Sequence, residues 1–478
     1  MVFTSLSFIA FIAAVVLLTS ALPTPAHRNG VLFVANLVFI GSCIDRVVQV
    51  VPLVAFLLLC YLIIEGVRRG RSSLGLWAGL ALVVASFVML KKYSFLGAAV
   101  LPFPYLIVGL SYVLFRVLHL MIDAKQGELA TPISPLHFFN YTCNFLAFTA
   151  GPIQRFQEYA SQQDRPLALD EAQVFRAFAR VIKGFVKVGV VSAVFNYLFD
   201  MLSGRLLDTA PVPPLPMLCA LYVAAAVFYT VYLYANFAGY MDIVIGVGAL
   251  MGLALPENFN RPFLARSFLD FWSRWHMTLS DWFKTYVFNP LLTVLARRFT
   301  APKAGPYLGV VAFFVTFLIM GVWHGTTSVF VVYGLLMGAG ASINKLWQVI
   351  ATKRLGKKGY KALAEKTAFI YLCRGLTLAY FALALTCLWL NMHQLLVLTH
   401  QLGVAGVIAS YFGLAGAAGV AFLAWDSFTS LLAPLLPGVS RLAGGVIARN
   451  IALGLQILLI VTVASFFHKA PEFVYRAF

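Results

Sequence analysis

Apolar stretches recur along this chain from one end to the other. Many contain about 20 residues, the length that an α-helix needs to cross the hydrocarbon core of a bilayer. Hydrophobic residues make up 61% of the sequence and charged residues only 11%, a composition far outside the range of soluble globular proteins. The sequence therefore predicts an all-α polytopic membrane protein.

The number of crossings follows from the length and polarity of each stretch. Some stretches are too short or too polar to span fully, so we expect about 11 transmembrane helices plus re-entrant or interfacial helices. No repeat of fixed period is visible, and one membrane domain over residues 1–478 is the simplest prediction. The candidate stretches lie near residues 5–22, 31–44, 47–66, 74–91, 97–121, 137–151, 179–202, 212–235, 237–255, 306–323, 327–345, 368–391, 403–424 and 449–468.

The net charge of +18 comes from basic residues that border the apolar stretches. The positive-inside rule places most of these residues on the cytoplasmic side. Residues 347–366 are predicted to be a solvated basic loop that also meets anionic lipid headgroups. Because no soluble basic domain is present, nucleic acid is not an expected partner. The main basic positions are Arg68, Arg69, Arg71, Lys91, Lys92, Arg297, Arg298, Lys303 and residues 345–374.

His324 is the first candidate for chemistry, because it ends an almost wholly apolar run that begins at Phe317. An ionisable group at membrane depth is expensive and usually functional. Gly325 allows another backbone or a substrate to approach closely, and the hydroxyls of residues 326–328 are suited to a polar ligand. The structural alternative is a core histidine that is bonded to a backbone carbonyl.

His276 is the second candidate, in a segment that combines three tryptophans with charged side chains. If residues 271–283 form one helix, Trp272 lies beside His276. Ser280 and Asp281 are then placed to orient the imidazole by hydrogen bonds. The alternative is that the tryptophans belong to an interfacial belt and that His276 is a satisfied neighbour.

The pattern around these histidines favours proton transfer. No HxxxH or HExxH spacing and no nearby cysteine pair is present, so no metal site is predicted. A GxSxG nucleophile motif is absent as well. Two histidines beside hydroxyls favour a base that titrates near pH 7 and activates a hydroxyl on an acyl acceptor.

Several ordered segments resemble the membrane-bound O-acyltransferase (MBOAT) family, in its bacterial branch of alginate O-acetylation and teichoic acid D-alanyl transfer. They run from about residue 105 to residue 345 and include the C-terminus. Two of them contain the histidines discussed above. The segments are 151–156, 236–243, 256–260, 271–280, 321–325 and 472–475.

The resemblance implies that His324 and His276 are catalytic and that Trp323 and Trp275 line the site. On the same basis we expect further substrate-lining residues at Arg274, Ser280, Asp281, Asn258 and Tyr240. It also implies helices around a central funnel, where a cytoplasmic acyl donor meets an extracytoplasmic acceptor. No bound cofactor is expected.

The predicted function is the transfer of an acetyl or D-alanyl group across a bacterial plasma (inner) membrane. The donor is acetyl-CoA or an acyl-phosphopantetheine carrier protein. The acceptor is a hydroxyl on a cell-envelope glycan or on an acyl-accepting partner protein. The alternative is a transporter or flippase that uses buried His276, Arg274, Asp242 and Asp281 for translocation.

Overall fold

The structure is a computed structural model that describes residues 5–70, 73–93, 101, 103–129, 131–163, 165–207, 212–301, 303–432 and 446–466. Within these residues it is helical, as predicted, and contains no named β-strand. The α-helices in chain order are α1 (Leu6–Ala21), α2 (Pro25–Gly41), α3 (Val51–Gly70), α4 (Ser73–Lys91), α5 (Leu110–Gln126), α6 (Pro135–Thr142), α7 (Phe156–Gln163), α8 (Glu171–Val186), α9 (Ala193–Leu207), α10 (Leu215–Leu250), α11 (Phe268–Trp272), α12 (Met277–Phe283), α13 (Asn289–Arg298), α14 (Gly305–His324), α15 (Val329–Ala364), α16 (Thr367–Ala384), α17 (Met392–Leu432) and α18 (Val446–Phe466).

Eight helices among the described residues are long and apolar enough to cross a membrane, which confirms a polytopic membrane protein. The sequence predicted about 11 crossings. The described residues contain these eight helices and one shorter apolar helix, α1. The spans are Val47–Gly70, Leu74–Lys91, Leu215–Leu250, Gly305–His324, Val329–Ala364, Thr367–Leu388, Met392–Leu432 and Ala448–Phe466.

Three sequence predictions about individual segments are wrong. The candidates at 212–235 and 237–255 form one continuous helix, α10 (Leu215–Leu250), because Asn236 between them does not interrupt the helical backbone. The candidate at 137–151 is helical only as far as Thr142. The predicted loop at 347–366 is helical, since α15 continues to Ala364 with a change of direction at Gly356. Arg71 and residues 472–475 lie outside the described residues.

Contacts divide the described chain into two compact units. The first comprises the described parts of Met1–Phe185 and Phe237–Glu257. Its core contains Arg116, which is only 2% exposed and donates hydrogen bonds to the carbonyls of Thr142 and Ala147. This buried guanidinium satisfies backbone oxygens that the irregular chain after α6 leaves without helical partners.

An ion-pair cluster joins α8 to α10 within the first unit. Arg180 donates from Nε to Asp242 Oδ1 at 3.0 Å, and from Nη1 and Nη2 to the two carboxylate oxygens of Glu257 at 2.6 Å each. The bidentate geometry fixes the direction of the guanidinium as well as its distance. It therefore holds the amphipathic helix α8 against the C-terminal end of α10.

The second unit comprises the described parts of Val186–Asn236 and Asn258–Pro471. Its helices α14 and α15 cross at two glycines: a Cβ atom on Gly321 would lie 2.1 Å from Cα of Gly334. Helices α16 and α17 also approach closely, since a Cβ on Gly375 would lie 2.1 Å from the carbonyl oxygen of Ala415. Such small residues allow membrane helices to pack with their backbones in contact.

Arg374 is a basic residue inside the apolar candidate stretch at 368–391. The structure places it in α16, where it is 5% exposed and donates from Nη1 to Asp426 Oδ2 of α17 at 2.6 Å. Its guanidinium also lies 4.3 Å from the ring centroid of Phe422. A partner carboxylate and an aromatic face together explain how this charge is tolerated inside the helical packing.

Replacement of Gly321 by alanine is expected to destabilise the fold. The added methyl group must push α14 and α15 apart, and overpacking of this kind costs about 1–3 kcal/mol. The matched control is Gly305→Ala at the start of the same helix, where a Cβ meets nothing within 4 Å. Thermal unfolding of the detergent-solubilised protein should show a lower midpoint for Gly321→Ala and an unchanged one for Gly305→Ala. Equal midpoints would contradict the close crossing.

Candidate active site

His276 is held by a short antiparallel backbone pairing in the second unit. Asn260 N–H donates to the Arg274 carbonyl at 2.9 Å, and Met277 N–H donates to the Asn258 carbonyl at 2.9 Å. Between these bonds, Phe259 and Trp275 form an isolated β-bridge. The chain on either side of His276 is thus fixed by residues 258–260.

The backbone of His276 is left-handed, with φ 45° and ψ 53°. Residues other than glycine rarely adopt this region, and its steric cost is often found at functional sites. Helix α11 ends at Trp272 and α12 begins at Met277. The predicted single helix over 271–283 is therefore wrong, because the left-handed residue interrupts the helical path.

Asn258 determines which ring nitrogen of His276 carries the hydrogen. Its Oδ1 accepts from the backbone N–H of Thr278 at 3.1 Å and from the Thr278 hydroxyl at 2.9 Å. An atom that accepts from a backbone N–H is the amide oxygen and not the nitrogen, so this assignment is fixed. His276 Nδ1 lies 3.1 Å from the same oxygen. It is therefore the donor, and Nε2 bears the lone pair.

The imidazole of His276 is neutral at neutral pH. Its side chain is buried, with 1% of the residue exposed. Burial lowers the pKa of His276 well below its ordinary value of 6.5, and a proton on His324 would lower the same pKa further.

His324 ends helix α14 and is 4% exposed. Its Nδ1 lies 2.7 Å from the carbonyl oxygen of Met320, one turn earlier. Since a carbonyl oxygen only accepts, Nδ1 carries a hydrogen, and in the neutral ring Nε2 bears the lone pair. The bond to a backbone carbonyl that the structural alternative requires is therefore present.

Aromatic rings pack against His324 and against Trp275, the residue before His276. The Trp323 ring lies 4.9 Å from that of His324, and the Tyr333 ring lies 5.5 Å from it. Trp275 is 2% exposed and packs between Phe259 at 5.1 Å and Phe381 at 4.9 Å. Trp275 and Trp323 are thus both buried among aromatic rings, and their predicted role in lining a site stays a prediction.

The other expected site residues have different surroundings. Arg274 is one-third exposed and donates from Nε to Asp270 Oδ1 at 2.8 Å. Ser280 Oγ lies 3.4 Å from the Trp275 carbonyl, and Asp281 is exposed. Tyr240 belongs to the first unit, where its hydroxyl donates to the Leu146 carbonyl at 3.1 Å. Of the polar residues singled out, Asn258 is the one whose bond to an imidazole the structure shows.

Two contributors were missed from the sequence. Thr278 fixes the amide of Asn258 through two hydrogen bonds. The sequence offered one indication of this role, a hydroxyl side chain three positions after Trp275. Tyr333 reaches the ring of His324 only because Gly321 and Gly334 bring α14 and α15 together. No local pattern indicates a contact that depends on such a helix crossing.

A buried donor beside His276 has no hydrogen-bond partner among the described residues. It is Nδ2 of Asn258, whose side chain is fully buried. An amide N–H left in this state costs about 1–3 kcal/mol. Within the same described residues, no group of three or more His, Cys, Asp or Glu side chains is placed to hold a metal ion.

Two substitutions at His276 separate the effect of losing the imidazole from the effect of the left-handed backbone. Asparagine tolerates this region and β-branched valine does not. His276→Asn is therefore expected to keep a thermal midpoint near that of the wild type. His276→Val should lose about 1–3 kcal/mol of stability through backbone strain. Both variants remove the imidazole, so equal midpoints in detergent would contradict the strained conformation.

Comparison with known proteins confirms the resemblance. The profile of MBOAT, the membrane-bound O-acyltransferase family, matches residues 44–396. The chain is 32% identical over 265 residues to a teichoic acid D-alanyltransferase of Streptococcus thermophilus, covering 54% of this chain and 62% of that protein. A teichoic acid D-alanyltransferase of Bacillus subtilis is 29% identical over 232 residues, covering 48% and 56%.

A probable alginate O-acetylase of Pseudomonas fluorescens is 28% identical over 274 residues, which cover 56% of this chain and 51% of that protein. The chain thus spans roughly half the length of the curated relatives it matches. The family profile, by contrast, extends over most of the chain and includes both histidine segments. This protein therefore belongs to the membrane-bound O-acyltransferase family.

Proposed function

We propose that this protein transfers a small acyl group, acetyl or D-alanyl, to a hydroxyl of a cell-envelope polymer or of a partner protein. The observation that carries the proposal is the pair of buried imidazoles in the second unit. Each donates from Nδ1 to a fixed oxygen and keeps a lone pair on Nε2. A base in this state is suited to take the proton of a hydroxyl.

In the proposed reaction, His324 Nε2 removes the proton from the acceptor hydroxyl. The acceptor oxygen forms a bond to the carbonyl carbon of a thioester donor, and the carbon–sulfur bond then breaks. The thiolate leaves with the electron pair of that bond and takes the proton back from His324. Atoms and charge balance, and the imidazole returns to its starting state. The Met320 carbonyl supports this cycle because it stabilises the imidazolium that forms transiently at His324.

We assign His276 a binding and orienting role beside this base. Its neutral state favours acceptance of a hydrogen bond at Nε2, because an imidazolium would lack the lone pair. Its fixed backbone and its bond to Asn258 hold the ring direction in advance of binding. Such preorganisation lowers the entropy cost of bringing the reacting groups together.

The proposed donor is acetyl-CoA or an acyl-phosphopantetheine carrier protein on the cytoplasmic side of a bacterial plasma membrane. Both donors carry phosphate. The C-terminal part of α15 is strongly basic, and Lys353, Arg354, Lys357 and Lys358 are all exposed. A positive surface of this kind attracts an anionic donor within about one Debye length, roughly 8 Å at physiological salt.

The alternative transporter function gains no support from the surroundings of the charged residues on which it depends. Asp242 is paired with Arg180 at 3.0 Å, and Arg274 is paired with Asp270 at 2.8 Å. Asp281 is exposed. These pairs stabilise the structure around them, and the acyl transfer proposal uses none of them.

Removal of the proposed base tests the function directly. His324→Ala is expected to lower acyl transfer by about 10²–10⁴-fold, the usual contribution of a positioned acid or base. The measurement uses membrane vesicles that contain the protein, with labelled acetyl-CoA or labelled D-alanyl carrier protein and the envelope polymer. The matched control is His400→Ala, which removes an exposed histidine and should leave the rate unchanged.

Expression and thermal midpoint of both variants are measured alongside the rate, because a misfolded protein also loses activity. A folded His324→Ala variant that modifies the polymer at the wild-type rate would refute the role of His324. A wild-type protein that transfers neither group would refute the proposed function.

A further inference from the structure

We propose that Asn258 is a positioning residue of the acyl transfer site. In this proposal its Oδ1 holds His276 in the single tautomer that presents the Nε2 lone pair to substrate. The inference rests on the proposed function for its catalytic consequence. Its structural part, the tautomer, stands on the hydrogen bonds alone.

The hydrogen bonds from Thr278 allow the Asn258 amide only one orientation. Two donors from Thr278, its backbone N–H and its hydroxyl, lie 3.1 and 2.9 Å from Oδ1. Rotation of the amide by 180° would bring Nδ2 against that backbone N–H, donor against donor. Thr278 thus fixes Asn258, and Asn258 in turn fixes His276.

The backbone adds a second level of control. The carbonyl of Asn258 accepts from Met277 N–H at 2.9 Å, so the residues that flank His276 are bonded to the same residue as its ring. The left-handed conformation at 276 is maintained between these contacts. Main chain and side chain of Asn258 therefore determine together where the imidazole lies and which nitrogen is protonated.

The amide nitrogen of Asn258 distinguishes a positioning role from a role in packing alone. Nδ2 is buried and has no hydrogen-bond partner among the described residues. A side chain retained only to satisfy Thr278 gains nothing from this second polar group. A donor kept beside an imidazole inside an apolar shell is suited to an oxygen of the bound acyl donor or acceptor.

The tautomer is tested first, independently of any activity. The probe is ¹⁵N-labelled histidine in the full-length protein, observed by NMR in lipid bilayers. Signals of His276 are assigned by their loss in His276→Asn. We expect hydrogen on Nδ1 and none on Nε2 at pH 7, and a mixture of tautomers in Asn258→Ala. Hydrogen on Nε2 in the wild type would overturn the proposal.

Activity is tested with a matched pair of asparagines. Asn258→Ala removes the acceptor, whereas Asn260→Ala, two positions later, removes an exposed side chain and keeps the backbone bridge. We expect Asn258→Ala to lower kcat/KM by about 10–100-fold, as loss of a partner that orients a histidine typically does. Asn260→Ala should match the wild type. Equal rates for the two variants would overturn the positioning role.

Asn258→Asp supplies a readout that a packing role does not affect. Aspartate keeps the oxygen acceptor but adds a negative charge, and an opposite charge raises the pKa of a histidine. His324 is the titratable group whose charge already acts on His276, in the direction that lowers its pKa. Activity of Asn258→Asp should fall at a higher pH than that of the wild type as the pH is lowered, because His276 gains its proton earlier.

The acid limb of the pH profile should therefore move upward by about 1 unit or more. A pH profile of Asn258→Asp with lower activity at every pH but an unshifted acid limb would contradict the inference. If the wild type transfers no acyl group, the proposed function fails, and the NMR result still decides the tautomer. Failure of the inference and failure of the function are thus distinguishable.

Discussion

One oxygen atom, Oδ1 of Asn258, accepts three hydrogen bonds on which the second histidine depends. A buried polar group of this kind stabilises one arrangement strongly because every alternative leaves donors unsatisfied. The strained backbone of His276 persists only because these bonds and the bridge between Phe259 and Trp275 hold it. The hydrogen bonds therefore maintain the strained backbone, and together they fix the ring of His276 before a substrate binds.

The first histidine is fixed by different means. His324 uses the backbone of its own helix, through the Met320 carbonyl, and needs no partner side chain for its tautomer. Its surroundings depend instead on helix packing, because the crossing of Gly321 with Gly334 brings Tyr333 of α15 to its ring. The proposed site thus combines a loop constraint at His276 with a membrane-helix constraint at His324. Such rigid support is what catalytic geometry requires.

Much of this molecule follows from sequence. Apolar length predicted membrane helices, and the cost of a histidine in an apolar run indicated His324. Periodicity failed at 271–283, because left-handed backbone at His276 comes from pairing with residues 258–260, which local propensity does not show. The ion pair of Arg374 was not predicted either, since its partner Asp426 lies 52 positions away. Long-range hydrogen bonds and ion pairs decided the features that pattern alone did not.

The central claim is that His276 and His324 act in one site on one chemical step. A double-mutant cycle with His276→Asn and His324→Ala tests it most directly, with acyl transfer in membrane vesicles as the measurement. Residues that act as a unit are strongly non-additive. We expect the double variant to transfer within about tenfold of the slower single variant. Losses that multiply, as they do for independent sites, would contradict a shared site.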